Sequence, residues 1–300
     1  MRQSRSGAFI TAKPLDDVIK QKLRGAGIKP VKTMEITKIL AKFIHDTNFE
    51  DIPADVIEKS KRCFLDCQGV ALAGIKEDSS RIIIEYINET GGKAQATIIG
   101  TNIMTDVEHA ALANGVISHA LDFDDYHSET VIHASAACLP AIMAVAETRN
   151  LSGKDVLTAL TLGIDIAIRI GFGLGAYHYE RGWHTTSTAG VFGATAGVAK
   201  LLKLDENKIV NAFGLCGTQA SGLRQVFGTM TKPFHAGISS RNGVMSAFLA
   251  EKGFTSAREI VEGELGLLDV LTDTPNQERI LEGLSSKFYV ADMSIKPYPT

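Results

Sequence analysis

Seven titratable side chains, His119, Asp122, Asp124, Asp125, His127, Glu129 and His133, fall within 15 residues of one another. Apolar runs with helical character, residues 110–120 and 136–146, lie on either side. Burying so many charges without partners would cost several kcal/mol for each. These groups must therefore pair with one another, bind a guest, or line a wet cleft. The segment is a candidate active-site edge.

Other groups could join it. His127, His133, His184 and His235 sit beside Gly, Pro or acidic residues in stretches without helical periodicity. Imidazole is the side chain best suited to moving protons near neutral pH. His45, His109 and His178 read as surface or capping residues. Lys232, between Thr231 and Pro233, reads as a solvated lysine, an anion clamp, or a proton donor if burial lowers its pKa. The D-F-D-D-Y-H run also permits a Mn, Fe or Zn reading. Against a metal, no second His/Glu pair at helical spacing supplies further ligands. A Rossmann fingerprint is absent, because G-F-G-L-G at 171–175 lacks the spacing and a preceding strand.

Composition narrows the class. The 300 residues are 45% hydrophobic and 22% charged, values ordinary for a soluble globular chain. A net charge of -3 without a Lys/Arg run argues against nucleic acid as a partner. The four cysteines lack CxxC spacing and suit a reducing cytoplasm. No signal peptide is evident, and the uncharged run 182–198 carries His184, four Thr and a Ser, so no membrane span is expected.

The elements that must position these groups are mainly helices. Ile36, Ile39, Leu40, Phe43 and Ile44 follow the i, i+3, i+4 rhythm of one apolar face. A second helix opens at Pro53 and ends near Gly74, and a third covers 80–89 before Gly91-Gly92. Residues 96–99 read as a short strand. Thr105 and Glu108 have capping-box spacing for a helix reaching about Ala120. Further helices are expected over 136–148, 152–170, 188–202, 206–214, 239–252, 257–262 and 275–284, with a strand over 287–295. Residues 171–186 and 217–237 read as loops. Three polar loops, 122–133, 177–186 and 218–235, could converge on one cleft.

At motif level the chain resembles the MmgE/PrpD family. The resemblance rests on H-A-L-D-F-D-D-Y-H with H-A-S, on G-W-H-T-T-S-T-A-G-V-F-G-A, and on G-T-Q-A-S-G-L with F-G-T-M-T-K-P-F-H-A-G. It runs in order over residues 33–300. The family includes 2-methylcitrate dehydratase, cis-aconitate decarboxylase and iminodisuccinate epimerase. The resemblance implies an N-terminal extension over 1–32, an all-helical domain over 33–270, and the start of a smaller α/β lid over 271–300. It implies a homodimer, a small polycarboxylate substrate, and no metal or organic cofactor. Asp122, His133, His184 and Lys232 would be catalytic; Lys296, Tyr126, His127, His235 and Gln219 would bind substrate. Tyr126 stands where the family's D-F-D-D-T stretch has Thr, Ala134 replaces the Pro of H-P-S, and Thr185 the Pro of W-H-P.

The shared chemistry makes or breaks a C–H bond beside a carboxylate, so fixed cations and oriented imidazoles are what it requires. A lyase is the leading expectation. An epimerase of an amino- or imino-dicarboxylate and a non-catalytic binding module are the alternatives. Family chains run on past K-P-Y-P, so a truncated chain with little activity is expected here.

Overall fold

Ile36, Leu40, Phe43 and Ile44 are all buried along one face of α1 (Ile36–Asp46), as their spacing predicts, while Ile39 turns outward. The computed structural model describes residues 34–299; the extension over 1–32 lies outside the described residues. From α1 the chain runs through α2 (Ala54–Gly74), with Pro53 at its N-cap, and α3 (Asp78–Thr90), which stops at Gly91 with φ 74°. A two-stranded antiparallel ribbon follows, β1 (Ala96–Thr97) with β2 (Met104–Thr105). Next come α4 (Val107–His119), α5 (Ala134–Arg149), α6 (Gly153–Glu180), the single turn α7 (Thr185–Thr188), α8 (Gly190–Leu201) and α9 (Glu206–Gly217). The long α10 (Thr231–Glu251) precedes the short α11 (Leu267–Leu271) and α12 (Gln277–Leu281). Helix dominates, as the mainly α class requires.

Several boundaries differ from expectation, each for a physical reason. Residue 105 belongs to β2, so the cap of α4 moves by one: the Asp106 carboxylate accepts the His109 N–H. The expected loop over 171–186 is largely helix. Gly171 and Gly173 do not break α6 but admit neighbours: a Cβ on them would lie 3.0 Å from Thr130 Cβ and 2.4 Å from Ile280 Cδ1. The kink comes at Gly175, φ 69°. The last third of the expected 217–237 loop is the start of α10, because Pro233 sits in the first turn, where a missing N–H costs nothing. Residues 257–262 form turns rather than a helix. The strand expected over 287–295 is a 3₁₀ turn, Tyr289–Asp292, followed by one antiparallel bridge from Ser294 to Tyr126.

By length and hydropathy α6 could cross a membrane, yet 94% of its most apolar stretch is buried inside the bundle. Within it Arg169, fully buried, donates to Asp165 Oδ2 (2.6 Å) and to the carbonyls of Ile280 (3.0 Å), Glu282 (2.8 Å) and Lys287 (2.7 Å). Asp165 Oδ1 accepts the Tyr289 N–H at 2.7 Å. A buried charge is tolerable when every hydrogen-bonding group is used in this way. The pair fastens residues 280–289 onto α6.

Small residues set the separations between helices. A Cβ on Gly115 of α4 would lie 2.6 Å from Gly237 Cα of α10, and one on Gly237 would lie 2.4 Å from the Leu112 carbonyl oxygen. Gly163 and Gly193 permit a like approach of α6 and α8. The two backbones of α4 and α10 therefore touch one turn from His119 and half a turn from His235.

Candidate active site

His119 is the last residue of α4, and three residues later the chain turns through Asp122 in the left-handed region, φ 53°. Aspartate tolerates that conformation better than most residues. The turn faces the Asp122 carboxylate toward two ammonium groups from distant segments. Lys232, in the first turn of α10, donates to Oδ2. Lys296, delivered by the segment after the Tyr126–Ser294 bridge, donates to Oδ1 at 3.1 Å and to the Asp122 carbonyl at 2.8 Å. Burial alone would raise the Asp122 carboxyl. The hydrogen bond and charge of Lys232, with the His119 and His133 rings beside it, prevail and hold it below the usual carboxylate range.

Asp124, fully buried, lies behind this pair. Its carboxylate takes the His119 Nδ1–H at 2.8 Å, and His133 Nδ1 is 3.2 Å from its other oxygen. Burial opposes the charge here too, but the two imidazoles more than offset it and hold Asp124 well below the ordinary range. His133 is the N-cap of α5, its Nε2 3.7 Å from Asp122 Oδ1. The His119 and His133 rings are 4.6 Å apart, and His184, the N-cap of α7, stacks 6.2 Å from His119. His184 Nδ1 meets His235 Nδ1 at 2.9 Å, so one of these imidazoles donates and the other accepts. Burial first, and the neighbouring imidazoles and Lys232 after it, push His184 far below the usual histidine range. It is neutral at physiological pH.

Phe227 closes one side, edge-on to His184 at 4.8 Å and 5.3 Å from Lys232 Nζ. The Tyr126 ring lies 6.5 Å from His133 and 5.8 Å from Lys296 Nζ. A cavity of about 290 Å³ opens onto the cluster, lined by His119, Asp122 and Lys232 together with Gly228, Thr229 and Met230. The three polar segments do converge.

Not every expected residue joins them. His127 bonds to Thr130 Oγ1 (2.9 Å) and rests its ring on Phe172, a separate setting. Gln219 donates to the Leu215 carbonyl (2.8 Å) and Ser246 Oγ (3.1 Å), partners on α9 and α10 outside the imidazole cluster. His178, read as a surface or capping residue, is fully buried between the Leu271 carbonyl and Thr188 Oγ1. The expectation failed there because Gly173 and Gly175 made its helix look like a loop. His119 and Asp124 stood in the candidate segment without an assigned role, and Phe227 was not among the expected functional residues. Their signal lay in the same motifs: His119 and Asp124 are five apart, spanning one helix end, and Phe227 precedes Gly228 in F-G-T-M-T-K.

Ligand atoms of His119, Asp122, Asp124 and His133 lie within 4.8 Å of one another, a spacing that a metal could use. The donor set is already committed otherwise. Both oxygens of Asp122 accept lysine ammonium groups, and Asp124 is held between two imidazoles. Two ammonium groups converging on Asp122 suit an anion better than a cation.

The profile of the MmgE/PrpD N-terminal domain matches residues 38–280. The chain is 32% identical over 241 residues to the cis-aconitate decarboxylase-like protein oryM of Aspergillus oryzae, covering 77% of this chain and 50% of that protein. It is 30% identical over 266 residues to the cis-aconitate decarboxylase of Aspergillus terreus (83% and 54%). It is 26% identical over 208 residues to a probable 2-methylcitrate dehydratase of Saccharomyces cerevisiae (63% and 39%). The chain spans about half the length of the Aspergillus relatives.

Proposed function

Because the chain belongs to the MmgE/PrpD family, we propose that it is a lyase for a small di- or tricarboxylate, eliminating water or carbon dioxide without an organic cofactor or metal. The names of the relatives, decarboxylase and dehydratase, support this class. The observation that carries the reading is the meeting of Lys232 and Lys296 on one carboxylate beside three imidazoles. In the resting site Asp122 takes the place of an anion. A substrate carboxylate entering the cavity competes with Asp122 for the two ammonium groups, and the cations then face the charge that develops on its oxygens.

Proton movements complete the reaction, two in dehydration and one in decarboxylation. In dehydration a base removes a C–H proton beside a carboxylate, the electron pair forms the new C=C bond, and hydroxide leaves as water after protonation by an acid. In decarboxylation carbon dioxide leaves with the bond broken behind it, and the carbanion takes a proton. His133 and His184 are the proposed proton carriers, with Asp122 and Asp124 orienting His133. Tyr126 beside His133 and His235 beside His184 are proposed substrate contacts, and a homodimer is the proposed assembly.

The test is incubation of the protein with cis-aconitate and 2-methylcitrate in D₂O, followed by proton NMR. Loss of substrate is expected, with deuterium at the carbon that carbon dioxide leaves in decarboxylation and none gained by the alkene in dehydration. Unchanged spectra for these and other small polycarboxylates would overturn the proposal.

A further inference from the structure

His119 has a second ring nitrogen that nothing above employs. Its Nδ1 is bound by Asp124, at 2.8 and 3.0 Å to the two oxygens. A carboxylate accepts, so Nδ1 carries the proton, and Nε2 is left with a bare lone pair in the neutral ring. That Nε2 is buried and has no hydrogen-bond partner among the described residues. Buried polar atoms are nearly always paired, and one without a partner beside a cavity marks a place for a guest. His119 lines the 290 Å³ cavity with Asp122 and Lys232.

From this geometry we infer that His119 and Asp124 form a dyad in which His119 Nε2 is the base that touches the substrate, with Asp124 as its positioning residue. The inference rests on the polycarboxylate reading and gives the proton abstraction of its dehydration branch to His119 rather than to His133 or His184. His119 Nε2 takes the proton from the carbon beside a carboxylate. The C–H electron pair passes toward the carboxylate oxygens, which face Lys232 and Lys296. The imidazolium formed keeps its Nδ1–H on Asp124, whose negative charge offsets the new positive one. His133, on the other oxygen of Asp124, remains to give a proton to the leaving hydroxide. Burial holds His119 below the usual histidine range despite the opposing Asp124 carboxylate, so the resting ring is neutral and able to accept.

The experiment uses the full chain with ¹⁵N-labelled histidine. Long-range ¹H–¹⁵N correlation should show His119 as the Nδ1–H tautomer, and its Nε2 signal should move when propane-1,2,3-tricarboxylate, an inert probe, is added. His119→Gln should bind that probe within about 3-fold of the wild type while losing roughly 10²–10⁴ in turnover. Asp124→Asn should shift the tautomer toward Nε2–H. An Nε2–H tautomer in the wild type, or His119→Gln turnover within 10-fold of it, would overturn the dyad. Failure of the wild type to bind or turn over any polycarboxylate would instead sink the proposed function, and the tautomer measurement would still decide the dyad.

Discussion

Replacing Asp122 by Asn tests the charge arrangement directly. The amide keeps the shape but removes the counter-charge shared by Lys232 and Lys296, whose side chains are 16% and 6% exposed. A pair at 3.1 Å attracts by about 5 kcal/mol gross at an effective dielectric of ~20, most of it offset by desolvation. Breaking a buried pair costs ~3–5 kcal/mol, and the 30% exposure of the Asp122 side chain reduces that to about 2–3 kcal/mol. For a chain of this size the melting temperature should fall by roughly 5–10 °C. Propane-1,2,3-tricarboxylate at 100 times its Kd supplies ~2.7 kcal/mol, so it should restore most of the loss. Asp122 has a depressed folded pKa, so its contribution is present above the ordinary carboxylate range and is lost as pH falls through the folded value. The gap between the two proteins should therefore close in acid. Differential scanning calorimetry across pH, with and without the probe, measures all three effects. Equal stability at pH 7, or a gap that persists unchanged in acid, would refute the reasoning.

Lys232→Met should weaken propane-1,2,3-tricarboxylate binding at least 10-fold by isothermal titration calorimetry, since a charge-assisted hydrogen bond contributes about 1.5–3 kcal/mol. Asp125, fully buried beside Cys63 and bonded to Ser135 Oγ (2.6 Å), is pushed up to about 7, chiefly by burial. Its folded pKa lies above its unfolded one, so between about pH 4 and 7 the folded state binds the extra proton and this group's contribution to stability falls as pH rises. Asp125→Asn should remove that slope and gain roughly 1–4 kcal/mol at pH 8 in urea titrations; a loss there would contradict the assignment. Arg169→Met should cost ~3–5 kcal/mol by leaving Asp165 buried without its partner. It should also weaken probe binding, because the segment it fastens leads to Lys296; unchanged affinity in a folded variant would separate the two.

The parts legible from sequence were those written in contiguous runs. The D-F-D-D-Y-H stretch announced a polar site because so much charge between two apolar helices has few physical outcomes. The α1 face was readable from periodicity alone. Glycine misled where its role was contact rather than turning: Gly171 and Gly173 sit inside a helix because Thr130 and Ile280 press on them. No local pattern reports such a neighbour. The start of α10 was obscured for a related reason, since Pro233 serves a first helical turn as well as a loop. Lys296 was reachable only by resemblance; the staple at Arg169 and the Tyr126–Ser294 bridge that carry it to Asp122 join residues more than 100 apart in sequence. His119 stood in plain view, but its importance depends on which of its nitrogens has a partner, and only three dimensions show that.

The bare backbone contact between Gly115 and Gly237 works as a gauge block under the cavity. The distance between the basic edge on α10 and the imidazole ending α4 is set beneath the groups that would meet a guest, by two missing methyls. A methyl restored at either place would widen the gap while leaving every polar group intact. Under the proposed function, selectivity for longer or shorter polyanions would be adjusted from below, at positions outside the cavity lining.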